Sequence, residues 1–323
     1  MSKLYPVGVQ NFEKVILGGY EYVDKTALIY ELFNTGSYYF LSRPRRFGKS
    51  LLLSTLEAYA QGKKELFKGL ALEKLEKDWT VYPVLHLDLN TQKYDSPESL
   101  TNVLEENVRN WEALYGASSA EIGVARRFQG LIRRACEQTG RRVVILIDEY
   151  DKPMLQAIGN EALQNEYRST LKAFYGALKS MDGCIRFALL TGVTKFGKVS
   201  VFSDLNNLRD ISMIDQYAEI CGISEKEVHA YFEEDIHELA TATGMTYEKA
   251  CAELKANYDG YHFTENAVGM YNPFSLLNTF ANRRFGSYWF ETGTPTYLVE
   301  LLKLHHYPIE DLEHIVTSQP VLD

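Results

Sequence analysis

The residues best suited to chemistry begin with a basic segment, Ser42-Arg43-Pro44-Arg45-Arg46-Phe47-Gly48-Lys49-Ser50. It stands between a predicted strand and a predicted helix, which is where a phosphate-binding loop belongs. The backbone amides of such a loop, together with the N-terminus of the next helix, attract an anion. Lys49 would then reach the β- and γ-phosphates of a nucleotide, and the Ser50 hydroxyl would bind Mg²⁺. The residues predicted to bind the nucleotide here are Pro44, Arg45, Arg46, Phe47, Gly48, Lys49, Ser50 and Leu51.

One feature departs from the usual phosphate-loop motif. The first glycine of that motif is missing, and Arg43 holds its place. The alternative interpretation is a basic turn with a solvated face. The loop alone leaves both interpretations open.

A second group of residues follows the apolar run at residues 143–147, which ends in Asp148-Glu149. An aspartate at the carboxyl end of a buried strand can hold Mg²⁺ through water, and a glutamate beside it can polarise the attacking water. Ligands of open α/β sheets bind at the carboxyl ends of strands, where both motifs stand. The alternative is an ordinary strand followed by an acidic loop.

The end of the next predicted strand carries a hydroxyl group at Thr191, within Leu190-Thr191-Gly192-Val193. Additional-strand ATPases keep a polar residue there that senses the γ-phosphate. The alternative is that Thr191 is simply a turn residue. With Lys49 and Glu149, Thr191 completes the predicted catalytic set.

The elements that must position these residues alternate between strands and helices. Short apolar runs that end at polar residues are typical of parallel strands covered on both faces. Strands are predicted at 38–41, 84–89, 143–147 and 184–190, and helices at 50–59, 100–114, 124–136 and 161–179. This alternation indicates a three-layer α/β domain, placed at residues 1–213.

The pattern changes after about residue 213. Ser224-Glu225-Lys226-Glu227 is a capping box that opens a helix to about Thr241. A second helix is predicted over 246–257, and Asn272-Pro273 begins a third. A helical lid subdomain and the start of a linker are therefore placed at residues 214–323.

Taken together, these blocks resemble the bacterial AAA-ATPase-like family. The resemblance rests on Tyr22-Val23-Asp24-Lys25-Thr26, the loop 43–50, Asp148 to Pro153, residues 190–193, residues 202–208 and Tyr271-Asn272-Pro273-Phe274-Ser275. The blocks span about residues 5–290. The loop of this family itself reads Arg-Pro-Arg-Arg-Phe-Gly-Lys-Ser, so Arg43 fits the family pattern.

The resemblance implies a P-loop fold of the additional-strand catalytic-glutamate type, with a parallel sheet core and a C-terminal helical lid. It implies ATP and Mg²⁺ as cofactors, with Ser50 and Asp148 on the metal. Members typically continue into a domain resembling PD-(D/E)XK nucleases, and nucleic acid is a possible partner through that domain. This chain ends where that domain would begin, and its last residues have linker composition.

Several further residues have two interpretations. Val9 and Phe12 could sandwich the adenine, or they could belong to the core, which we rank first. Arg45 and Arg46 could clamp a phosphate, meet an acidic protein face, or remain solvated. Arg209 is either an arginine finger or a surface ion-pair residue.

Composition limits the classes of function. The 323 residues carry 43 acidic and 34 basic side chains, for a net charge of −9, which argues against a surface built wholly for nucleic acid. Mean hydropathy is −0.24, and no apolar run approaches the roughly 20 residues of a membrane span. Four dispersed cysteines favour reduced thiols, so a cytoplasmic protein is expected. His305-His306 and Glu253-Leu254-Lys255 predict neither a metal site nor a nuclease.

Three functions are consistent with the sequence. The first is a Mg²⁺-dependent ATPase, and the second is an ATP-binding switch with little hydrolysis that regulates an effector domain. The third is a module that binds a nucleic-acid backbone through the arginine-rich loop. The sequence favours the first two.

Overall fold

The protein is described by a computed structural model that covers residues 3–195, 201, 202, 205, 207–266 and 268–289. The pair His305-His306 and the predicted linker lie outside these residues. Within them the chain forms two compact units. The first unit comprises the described residues up to 84 and from 209 onward, and the second unit comprises those of 85–208. The boundary near residue 213, between the predicted α/β domain and the predicted helical lid subdomain, stays a prediction.

The helices run in chain order as α1 (Phe12–Leu17), α2 (Thr26–Thr35), α3 (Lys49–Ala60), α4 (Ala71–Leu75), α5 (Pro97–Tyr115), α6 (Val124–Thr139), α7 (Lys152–Gln156), α8 (Glu161–Ser180), α9 (Glu225–Thr243), α10 (Tyr247–Tyr258) and α11 (Pro273–Asn282). The strands are β1 (Tyr38–Ser42), β2 (Val84–Asp88), β3 (Val143–Asp148), β4 (Ile185–Gly192), β5 (Arg209–Asp210), β6 (Ile223–Ser224) and β7 (Met270–Tyr271). Each predicted strand and helix is present within a few residues of its predicted bounds. The short strands β5, β6 and β7 were not predicted, because two-residue strands leave no periodic pattern.

In the second unit the strands lie in the order β2-β3-β4, and β3 pairs with β4 in parallel. Every residue of β3 is buried, which explains its continuous apolar sequence. A parallel neighbour requires a crossover connection, and α7 and α8 supply it between β3 and β4. As a result, Asp148 and Thr191 stand at the same edge of the sheet.

In the first unit β1 pairs with β5 in parallel, with Tyr39 opposite Arg209. The other two strands, β6 and β7, form an antiparallel pair. Parallel strands and flanking helices in both units give the mixed α/β fold that the sequence predicted. No helix among the described residues has the length and apolar character that a membrane crossing requires.

The helices α9, α10 and α11 share one apolar core within the first unit. Phe232, Leu254 and Phe280 are among its buried residues, and Tyr5 and Val23 of the N-terminal segment pack against it. The N-terminal segment is also bound to α9 through charged side chains. Lys3 Nζ lies 2.7 Å from Asp235 Oδ2, and Lys25 Nζ lies 2.5 Å from Glu227 Oε1. The N-terminal segment and the helical part therefore form one packed structure.

Candidate nucleotide site

The segment predicted to bind phosphate forms a loop from the end of β1 to the start of α3. Gly48 has φ of 94°, a left-handed conformation that glycine adopts without strain, and α3 begins at Lys49. The N-terminus of a helix attracts anions through its dipole and its first amides, so the start of α3 suits an anion. Ser50 is the second residue of α3, and its side chain is half-buried. The backbone thus has the form expected of a phosphate loop.

The ammonium group of Lys49 is folded onto this loop. The residue is only 3% exposed, and Nζ donates to the carbonyl oxygens of Arg43 at 3.0 Å and Pro44 at 3.3 Å. These bonds hold the positively charged Lys49 ammonium group against the carbonyl groups of the loop. A phosphate that entered the loop would meet this charge together with the helix amides.

The loop side chains contact the C-terminal part of the first unit. The Arg46 guanidinium lies 4.0 Å from the ring centre of Phe274, and the indole of Trp289 donates to the Arg45 carbonyl at 3.0 Å. Phe47 is buried and accepts a backbone hydrogen bond from Gly222 N at 3.1 Å. These contacts hold part of the loop in place, while Arg46 and Gly48 are exposed. Phosphate clamping by Arg45 and Arg46 stays a prediction.

An apolar cavity opens beside the loop, entirely within the first unit. Its volume is about 90 Å³. Gly48 and Leu51 line it on the loop side. The lining also includes residues that the sequence analysis did not assign to a site: Pro6, Tyr22, Val23, Ile220, Ile223, Pro273 and Leu277. The apolar run just before the capping box was the signal that could have indicated Ile220 and Ile223.

The two residues predicted to hold adenine do not line this cavity. Phe12 is fully buried, with its ring 5.2 Å from that of Tyr22 and 4.9 Å from that of Phe67. It belongs to the core, which the sequence analysis ranked first, because burial of a phenylalanine ring favours packing over ligand contact. Val9 is half-buried and also stands outside the cavity lining.

The Asp24 carboxylate accepts hydrogen bonds from the starts of two helices. Asp24 Oδ1 accepts from the Thr26 amide at 2.8 Å, and Asp24 Oδ2 accepts from the Ala71 amide at 2.8 Å. One carboxylate thus fixes the starts of both α2 and α4. Lys25, between Asp24 and Thr26 in the sequence, lines the apolar cavity.

In the second unit, the acidic residues stand at the carboxyl end of β3. Asp148 is 3% exposed, and its Oδ1 accepts a hydrogen bond of 2.5 Å from the Thr191 hydroxyl of β4. Thr191 is fully buried as well. Thr191 therefore lies within β4 and holds the Asp148 carboxylate, while sensing of a γ-phosphate stays a prediction.

Glu149 has a left-handed backbone, with φ of 54°. This conformation is uncommon for residues other than glycine, and it persists only where the surrounding structure enforces it. The surrounding bonds are those from the Lys152 amide to the Glu149 carbonyl and from the Tyr150 amide to the Thr191 carbonyl. The predicted general base is therefore held in a fixed, strained turn directly after Asp148.

Asp151 is a site-forming residue that the sequence analysis missed. Its buried carboxylate accepts from the Val193 amide at 3.1 Å, the Thr194 amide at 2.8 Å and the Thr194 hydroxyl at 2.9 Å. This carboxylate joins the turn after β3 to the turn after β4. A side chain at Gly192 would be 2.5 Å from the Tyr150 ring, so the close approach of the two turns requires glycine.

A third carboxylate, Asp88, ends β2 at the same edge. Burial raises its pKa, and the nearby Asp148 raises it further, while the Asn90 amide and Lys152 act in the opposite direction. The described residues contain no group of three or more His, Cys, Asp or Glu side chains arranged to hold a metal. A nucleotide-bound Mg²⁺ does not need one, because phosphates and water supply most of its ligands. Metal binding by Ser50 and Asp148 stays a prediction.

The sequence Glu253-Leu254-Lys255 lies on a helix, as predicted. These residues lie within α10, with Leu254 buried and Glu253 half-buried. That nuclease chemistry uses carboxylates on strands, so the absence of a nuclease within this chain stays a prediction.

Comparison with known proteins gives two matches. The model of the family described as "Predicted AAA-ATPase" matches residues 6–202. An "Uncharacterized protein in vnfD 5'region" of Azotobacter chroococcum mcd 1 is 40% identical over 322 residues. That match covers 99% of this chain and 60% of the relative, so the chain spans about 60% of the relative's length. The family match includes the loop around Lys49, the acidic turn after β3 and Thr191, and the chain belongs to the predicted AAA-ATPase family.

Proposed function

We propose that the chain binds and hydrolyses ATP with Mg²⁺ as cofactor. The observation that carries this proposal is the loop of the first unit. There Gly48 turns the chain into α3, Lys49 is held beneath the loop carbonyls, and an apolar cavity opens beside both. A charged group beside an apolar wall matches a ligand with a phosphate tail and a flat, largely apolar base.

Each residue has a distinct proposed role. Lys49 and the first amides of α3 bind the phosphates, and cavity residues such as Leu51 and Ile223 pack on the base. Ser50 and Asp148 hold the metal ion, which when bound would neutralise charge on the phosphate oxygens. Glu149 orients the attacking water and accepts its proton, and Thr191 fixes the Asp148 carboxylate.

A second candidate, a switch with slow hydrolysis, is favoured by a specific observation. The loop is bound to the C-terminal part of the first unit through Phe47, Arg46 and Arg45. Nucleotide in the loop would therefore alter the stability of that part. We propose that the helical part acts as a lid and that its state regulates a nuclease-like domain. Turnover separates the two functions, because a switch hydrolyses slowly until a partner binds.

The experiment that tests nucleotide binding is a thermal-shift titration with Mg-ATP. Wild type should gain about 2.7 kcal/mol of stability at a free ATP concentration of 100 times the dissociation constant. Lys49→Ala should show no gain, because the loop loses the ammonium group that meets the phosphates. Lys63→Ala is the matched control, since Lys63 is an exposed cation paired with Glu13 at 2.7 Å. An equal gain in Lys49→Ala and wild type would refute the proposal.

A further inference from the structure

Arg43, the residue in place of the motif's first glycine, is buried at 1% exposure. Its partners in the described part of the chain are backbone carbonyl groups and one aromatic ring. Nη1 donates to the carbonyls of Ser42 at 2.9 Å and Ser212 at 2.7 Å, and Nη2 donates to that of Tyr217 at 3.2 Å. The guanidinium therefore binds the segment 212–218 by its backbone.

The ring is that of Phe263, whose centre lies 3.8 Å from the Arg43 Cζ atom. Burial lowers the pKa of Arg43 to about 10, so the side chain stays charged at neutral pH. A buried cation is costly unless dipoles or rings compensate it. Here the N–H groups at the edge of the Arg43 guanidinium donate to backbone carbonyl groups, and the face of the guanidinium stacks on the Phe263 ring. This combination suits arginine and not lysine.

Arg43 also contacts Lys49, the lysine proposed to bind phosphate. The backbone carbonyl of Arg43 accepts a hydrogen bond from Lys49 Nζ at 3.0 Å. Its side chain is thus bound to the segment 212–218, and its carbonyl is bound to Lys49. We propose that Arg43 is a positioning residue. When the segment 212–218 is displaced, Arg43 moves with it and changes the location of the Lys49 ammonium group. The inference rests on the proposed nucleotide site.

A second connection supports this coupling at the other end of the loop. The Phe47 carbonyl accepts from the Gly222 amide at 3.1 Å, and the Phe47 ring lies 5.4 Å from that of Phe263. Both ends of the loop are therefore attached to residues 212–222. A displacement of that segment moves the loop, and by reciprocity a phosphate in the loop stabilises one position of the segment.

The absence of the motif's first glycine has a physical explanation in this arrangement. Arg43 does not have a positive φ, whereas Arg46 and Gly48 do. No left-handed conformation at position 43 requires glycine, so the position is open to a side chain. The chain uses it for a guanidinium that joins the loop to a distant segment.

The test compares Arg43→Lys with the matched change Arg283→Lys. Arg283 is a surface residue, 61% exposed at its side chain and paired with Glu238 at 2.7 Å. We expect Arg43→Lys to weaken binding of a fluorescent ATP analogue about tenfold, because several charged hydrogen bonds are lost. Turnover at saturating ATP should change less than the KM for ATP, since Glu149 is untouched. Arg283→Lys should change neither constant.

A chemical rescue separates positioning from general loss of structure. Arg43→Ala leaves a cavity shaped for a guanidinium, and added methylguanidinium should restore most of its lost ATP affinity. It should restore none in Lys49→Ala. If wild type binds ATP and Arg43→Lys binds it within twofold, or if the rescue fails in a folded Arg43→Ala protein, the inference is wrong.

Hydrogen exchange without nucleotide distinguishes failure of this inference from failure of the proposed function. Arg43→Lys should increase exchange at residues 44–50 and 212–222 together, whether or not wild type binds ATP. If Arg43→Lys does not fold, the milder Phe263→Leu, which removes the stacking ring, takes its place. Increased exchange in only one of the two segments would overturn the coupling.

Discussion

The hydroxyl of Thr191 donates a hydrogen bond of 2.5 Å to the carboxylate of Asp148, and both residues are buried. The bond joins the ends of two neighbouring parallel strands. It therefore fixes the carboxylate that is proposed to hold the metal, and it gives the predicted sensor residue a direct structural partner.

Replacing Thr191 by valine removes this bond while keeping the shape of the side chain. We expect Thr191→Val to lower the free energy of unfolding by about 1.5–3 kcal/mol, because a buried carboxylate loses a donor. Thr191→Ser keeps the hydroxyl and should lose less. Urea denaturation measures both, and equal stability of the valine variant and wild type would show that the bond contributes nothing.

Glu149→Gln should bind ATP normally but turn it over about 10² to 10⁴ times more slowly, because an amide cannot accept the proton of water. Phosphate release measures turnover, and a fluorescent ATP analogue measures affinity. Glu161→Gln, at the exposed start of α8, is the control and should keep the wild-type rate. Wild-type turnover in Glu149→Gln would mean that another group is the base.

Gly192→Ala should destabilise the protein by about 1–3 kcal/mol through overpacking, because the added methyl group meets the Tyr150 ring. Gly176→Ala is the matched control. It lies within α8 with no atom within 4 Å of the added methyl group, so it should gain about 0.5–1 kcal/mol. Thermal unfolding of the two variants should therefore shift in opposite directions, and a shift in the same direction would contradict the packing argument.

The raised pKa of Asp88 predicts a pH dependence of stability. The folded state holds this proton more tightly than the unfolded state, so stability is lost as pH rises through the interval between the two pKa values. Asp88→Asn should therefore be more stable than wild type at neutral pH, without nucleotide or metal. The gain should vanish below about pH 4, where the unfolded carboxyl is also protonated.

Asp95→Asn is a control for which the opposite change in stability at neutral pH is expected. Hydrogen bonding to Lys93 lowers the pKa of the Asp95 carboxyl, so its ionised form stabilises the fold. This variant should be less stable than wild type at neutral pH, and its deficit should shrink as pH falls. If Asp88→Asn behaves like Asp95→Asn in urea denaturation across pH 4–7, the Asp88 carboxyl is not destabilised by burial.

Much of the fold was predictable because its signals are local. The buried run before Asp148 has the composition of a strand covered on both faces, and the capping box at Ser224 marks the start of α9. Lys49 and Ser50 could be placed at the start of α3 because a strand-to-helix turn is a short stretch of backbone, and their roles toward a nucleotide stay predictions. The roles of Val9 and Phe12 were not predictable, since burial of Phe12 depends on Tyr22 and Phe67, which local sequence does not place beside it.

The sequence by itself determined the order of strands and helices, the loop around Lys49 and the acidic turn at Asp148 and Glu149. All of these depend on periodicity or on adjacent residues. Only the tertiary structure decided the cavity beside Gly48, the role of Asp151 and the burial of Arg43 against segment 212–218. Those features bring together residues far apart in the chain, and such contacts depend on how the elements pack, which no local pattern encodes.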